Sequence, residues 1–119
     1  MSVRRLSAAL TVAAVLIGAG ASSVMAGGAH TQATSVKVAA SEFKFVLSTK
    51  TAKAGSVSFV VTNKGKLSHD FKIAGKKTAL IKPGKSATLT VTLKKGSYPY
   101  LCTVTGHAAA GMKGTFKAS

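Results

Sequence analysis

The tightest constraint on this chain is a period-two alternation of apolar residues that recurs from Val36 to the carboxyl end. Leu89, Val91 and Leu93 alternate with Thr88, Thr90 and Thr92 in the cleanest such stretch. Successive side chains of an extended strand point to opposite faces, so this pattern defines one core face and one solvent face. The same reading applies to Val36, Val38 and Ala40, to Phe43, Phe45 and Leu47, and to Val57, Phe59 and Val61. It applies again to His69, Phe71 and Ile73, to Tyr98, Tyr100 and Cys102, and to Gly114, Phe116 and Ala118. Turn signals separate the runs at Ala54-Gly55, Asn63-Lys64-Gly65, Ala74-Gly75, Pro83-Gly84 and Lys95-Gly96. No window holds a long apolar stripe of helical period, so no substantial helix is expected. Seven to eight short strands spaced by about 8–12 residues predict an all-β chain, an antiparallel β-sandwich around one core.

The first 26 residues read differently. Arg4 and Arg5 precede an apolar run from Leu6 to Ala21, interrupted only by Ser7 and Thr11, and Val24-Met25-Ala26 offers small-residue cleavage chemistry. Residues 1–26 are therefore expected to be a cleaved secretory signal peptide, cut after Ala26. The alternative is a retained membrane anchor. It is disfavoured because the 16-residue apolar run is shorter than the roughly 20 residues that span a bilayer. Residues 27–35 (GGAHTQATS), which include His30, are expected to be a flexible arm, and residues 36–119 the folded domain. The expected location is the periplasm or the extracellular face of the cell membrane.

Removing the leader sharpens the composition. The whole chain has 119 residues, with 17 Lys plus Arg against two acids. The remaining 93 residues hold 15 lysines, no arginine and the same two acids, a net charge of +13. A single cysteine, Cys102, excludes an internal disulfide framework and any zinc site built from two cysteines of one chain. Glu42 and Asp70 lie far apart and leave little material for a carboxylate-pair hydrolase, so no enzyme is expected. Nucleic acid is a poor fit: the lysines are dispersed, arginine is absent from the domain, and no aromatics are spare for base stacking. Such a charge would steer encounter with an acidic partner protein or with an anionic membrane surface. Lys64, Lys66 and Lys113 are candidates for that rim, and a monomer is expected.

Alternation also places the polar exceptions. His69 shares the inward face of Phe71 and Ile73, and Cys102 shares that of Tyr98 and Tyr100. Two ligand-type side chains at strand ends can meet at one pole of a sandwich. The following loop carries His107 and ends at Met112, giving a distant His followed by Cys-x4-His-x4-Met. Two imidazoles, a thiolate and a weaker axial thioether form the ligand set of a blue-copper site. Thiolate and thioether suit Cu(I), imidazoles suit Cu(II), and an intermediate geometry serves both. Zinc has the same first three donors available, but a lone thioether is unusual for it. Taken singly, Cys102 or Met112 is more simply a buried core residue; their order and placement together favour one bound copper ion.

Here the chain resembles the cupredoxins, the small blue copper proteins such as plastocyanin, azurin and auracyanin. The resemblance rests on Val60-Val61-Thr62-Asn63 leading to Ser68-His69-Asp70-Phe71, and on Tyr98-Pro99-Tyr100-Leu101-Cys102 through Gly106-His107 to Gly111-Met112-Lys113-Gly114. It implies an eight-stranded Greek-key sandwich with copper held at one end by His69, Cys102, His107 and axial Met112. It further implies that the ring edge of His107 is exposed and passes the electron. Thr105 stands where many relatives have proline, and Asp70 where many have asparagine. The expected role is one-electron transfer between redox partners, the positive charge favouring an acidic redox protein of cytochrome or oxidase type. The alternative is a copper-binding protein for storage, delivery or resistance, disfavoured by the lone Met of the mature chain. A copper enzyme with a second metal centre would need more than the three histidines present.

Overall fold

The computed structural model describes residues 33–119. The expected signal peptide, and with it His30 and most of the expected arm, lie outside the described residues. Thr34 and Ser35, the last two residues of that arm, already form the start of the first strand.

Nine strands run in the order β1 (Thr34–Ser41), β2 (Lys44–Leu47), β3 (Thr51–Ala52), β4 (Gly55–Asn63), β5 (Lys72–Ile73), β6 (Lys76–Lys77), β7 (Ser86–Leu93), β8 (Gly96–Leu101) and β9 (Lys113–Ala118). They form a four-stranded sheet, β2-β1-β4-β7, and a five-stranded sheet, β3-β9-β8-β5-β6. No helix occurs among the described residues, and none is long and apolar enough to cross a membrane. The all-β sandwich expected from alternation is found. Its strand count exceeds seven to eight because β3 and β6, of two residues each, are too short to show a period.

Two pairings depart from the antiparallel expectation. β1 runs parallel to β4, and β3 parallel to β9. Alternation fixes which face a side chain takes but says nothing of the direction of a non-local neighbour.

The core follows the alternating residues. Val36, Val38 and Ala40 of β1, Val57, Phe59 and Val61 of β4, and Val91 and Leu93 of β7 are buried. They face Ile73, Tyr100, Phe116 and Ala118 of the other sheet. Phe59 links Phe71 and Phe116, with ring centroids 5.1 Å apart in both pairs, and each buried Phe contributes about 1.5–3 kcal/mol by leaving water. On the outer face of β4 and β7, Ser58 bonds Thr90 at 2.8 Å and Thr62 bonds Ser86 at 2.9 Å, which gives the uncharged polar ladder a cross-strand role.

The expected strand through His69, Phe71 and Ile73 is interrupted. Only Lys72–Ile73 joins a sheet, while His69 forms an isolated bridge with Ile81. The intervening N–H groups bond side chains instead: Asp70 N–H approaches Cys102 Sγ at 3.5 Å, and Phe71 N–H donates to Thr78 Oγ1 at 3.2 Å. Side-chain acceptors thus replace a neighbouring strand. Phe43 also departs from its inward assignment. It sits on the turn between β1 and β2 and is 38% exposed.

Candidate metal centre

The site lies at the pole where β1 and β4 end together, β8 ends and β9 begins. β1 and β4 stop in register at Ala40 and Asn63, and Leu101 of β8 faces Lys113 of β9. Three connections converge there: the segment between β4 and β5, the β1–β2 turn, and the loop between β8 and β9. The first follows β4 and carries His69, and its geometry depends on Asn63. This fully buried amide donates to Leu67 O at 2.7 Å and Ile81 O at 2.8 Å, and accepts from Gly65 N–H at 2.8 Å. His69 is then held by its own backbone, with N–H to Ile81 O at 3.1 Å and its carbonyl accepting from Ile81 N–H at 2.7 Å.

Cys102 follows β8, and its N–H donates to Met112 O at 3.1 Å, closing the base of the third loop. Within that loop successive turns place His107: its N–H reaches Val104 O at 2.9 Å, and its carbonyl accepts from Ala110 and Met112 N–H, each at 3.1 Å. Met112 is thereby tied through its backbone to both Cys102 and His107, and its side chain is fully buried.

His69, Cys102 and His107 converge, all buried. His69 Nδ1 lies 3.1 Å from His107 Nδ1, Cys102 Sγ lies 3.6 Å from His107 Nδ1, and Sγ lies 4.0 Å from His69 Nδ1. A triangle with these sides is acute, so one point inside it is equidistant from all three atoms. That distance is about 2.1 Å, matching the 2.0–2.3 Å typical of metal–imidazole and metal–thiolate bonds. The donor set fits a copper ion in trigonal arrangement.

The surroundings treat the three side chains unequally. Burial pushes the Cys102 thiol above its ordinary pKa, and N–H groups of Asp70 and Val104 pull in the opposite direction. Without metal the thiol holds its proton, so metal uptake must release it. The Asp70 carboxylate accepts from Thr103 N–H at 2.6 Å and from the Thr103 hydroxyl, and its charge adds to the upward push on the Cys102 thiol. That pair ties the first loop to the third.

Glu42 and Phe43, adjacent on the β1–β2 turn, were not singled out by spacing or alternation as site residues. Glu42 Oε2 lies 2.6 Å from His69 Nε2, and Oε1 accepts from Lys66 N–H at 2.8 Å. The Lys66 N–H, followed by the His69 ring, holds the Glu42 carboxyl below its ordinary pKa. Phe43 sets its ring edge-on to His107, with centroids 5.0 Å apart at 67°. His107 is 8% exposed and His69 0%. One signal in the sequence pointed to Glu42: it is one of two acids in a chain of 17 cations.

The chain matches a family model described as a cupredoxin-like domain over residues 7–115. No curated protein sequence matches it significantly. Among solved structures, it is similar to dithionite-reduced auracyanin from the photosynthetic bacterium Roseiflexus castenholzii, with 21% identity, 75% of this chain and 99% of that chain covered, and a TM-score of 0.64. It is similar to auracyanin B at 22% identity, covering 76% of this chain and 91% of that one, with a TM-score of 0.63. An azurin from Methylomonas sp. strain J aligns at 16% identity over 74% of this chain and 99% of its own, with a TM-score of 0.59.

Proposed function

Because the chain belongs to the cupredoxin-like family, we propose that it binds one copper ion at this pole and carries single electrons between redox partners. The observation that carries this reading is the triangle of two imidazole Nδ1 atoms and one thiol sulfur, with a common point at bonding distance from all three. His69, Cys102 and His107 would hold the metal, and Met112 would offer it a weaker thioether. Bound copper supplies the Cu(II)/Cu(I) couple.

The protein's part is to hold the donors still and keep water out. Burial of His69, Cys102 and Met112 at 0%, 1% and 0% exposure lets few groups rearrange when charge changes at the site. The Asp70 N–H directed at Sγ stabilises a thiolate there. The similarity to auracyanins and an azurin supports the carrier role over copper storage.

Two further parts of this reading rest on sequence. Arg4, Arg5 and the apolar run from Leu6 support export to the periplasm or the outer face of the membrane. The +13 charge of the domain supports an acidic redox partner, met through a salt-dependent encounter.

Addition of Cu(II) to the purified domain tests the proposal. An intense blue absorption band is expected, and it should vanish in Cys102→Ser. A colourless copper complex of the unsubstituted protein would overturn it.

A further inference from the structure

The chain has only two acids, and both end at this pole. Asp70 bonds Thr103 and lies beside the Cys102 thiol. Glu42 instead faces the imidazole that the first loop delivers, and its seat is built for it. The carboxylate accepts from Lys66 N–H at 2.8 Å and from Leu67 N–H at 3.4 Å, and lies 2.6 Å from His69 Nε2. Gly65 makes the seat possible: a Cβ at that position would collide with the Glu42 carboxylate. Asn63 in turn fixes Gly65 through its N–H at 2.8 Å. Glu42 keeps only a quarter of its side chain exposed, at 25%.

We propose that Glu42 is a positioning residue for the metal centre: by accepting the Nε2 proton of His69, it frees Nδ1 to face the metal and makes that imidazole the more strongly donating of the two. The proposal rests on the copper reading above. A neutral imidazole carries one proton on two nitrogens, and a carboxylate beside Nε2 selects the form with Nδ1 unprotonated. It also draws positive character out of the ring, which strengthens donation and favours Cu(II) over Cu(I). His107 has an aromatic edge where His69 has a carboxylate, so the two imidazoles are chemically distinct. A purely structural Glu42 would clasp the β1–β2 turn to residues 65–67 and change stability alone.

Two variants separate these roles. Glu42→Gln keeps the size but offers one oxygen to donors that now share two. Gly65→Ala keeps the glutamate and displaces it. Nitrogen-15 NMR of the metal-free full chain should find the His69 proton on Nε2, with that preference weakened in both variants. Loss of a carboxylate behind a ligating histidine typically lowers metal affinity 10–100-fold. The midpoint potential of the copper-loaded protein should rise in both variants, by about 59 mV for each tenfold loss of Cu(II) affinity relative to Cu(I). Unchanged potentials with the blue band intact would overturn the proposal, as would a metal-free His69 protonated on Nδ1. An unsubstituted chain that takes up no copper would overturn the copper reading and the tuning role with it. The Nε2 measurement, which needs no metal, would still decide the Glu42 contact by itself.

Discussion

The segment that carries His69 and the loop that carries His107 hold two imidazoles by different means. His69 is fixed at every level: its backbone bridges Ile81, the buried Asn63 amide braces both sides of that bridge, and a carboxylate receives its ring proton. His107 sits in a run of turns whose bonds stay within residues 104–112, and its ring packs in a T-shaped pair with Phe43 from outside the metal-binding cluster. Hydrogen bonds to buried groups are directional and costly to break, whereas an aromatic edge contact tolerates small shifts. One side of the site is thus rigid and the other adaptable, and the adaptable side bears the imidazole nearest to solvent, at 8% exposure against 0%.

The comparison is broken most severely at Asn63. Asn63→Ala removes three bonds, takes from the Leu67 carbonyl its Asn63 donor and leaves Ile81 O with the His69 N–H, so a loss of about 3 kcal/mol is expected in urea unfolding. The His69 resonances of the metal-free protein should shift while those of the 104–111 loop stay in place. Equal shifts on both sides would mean that the two segments are not independent.

On the other side, Gly111 has φ +124 and its missing Cβ would lie 3.0 Å from Phe43 O. Gly111→Ala should cost about 2 kcal/mol, through a backbone conformation that other residues rarely adopt. Here His107 should respond and His69 should not.

The smallest effect is expected at Phe43. Phe43→Ala removes one edge contact, worth about 1 kcal/mol, but uncovers the ring it shields. Solvent exchange at His107 should accelerate, and copper-loaded protein should show faster electron self-exchange. A variant with unchanged exchange would show that Phe43 does not limit access to the ring.

Much of this organisation is legible before folding. The alternation of Val57, Phe59 and Val61 and of Leu89, Val91 and Leu93 marks the core, because a strand's faces follow from residue parity alone. The same parity points His69 and Cys102 inward and the spacing to His107 and Met112 brings those residues to one loop. Strand direction was not legible: nothing local in Val36, Val38 and Ala40 tells β1 to lie parallel to β4. The short strands at Thr51–Ala52 and Lys76–Lys77 also escaped, since two residues carry no period.

Composition and order by themselves determined that this is a lysine-rich β-sandwich with a single thiol, and that an inward-facing His69 and a loop carrying His107 and Met112 accompany it. The tertiary structure alone decided what surrounds them. Glu42 lies 27 positions from His69 in sequence, and Phe43 is further still from His107. Each meets its partner only because the β1–β2 turn reaches the pole where the other loops converge. Parity is a local property of the backbone, but a carboxylate placed behind one imidazole and a ring placed against the other depend on contacts between distant segments. Those contacts exist only once both sheets have closed on the core.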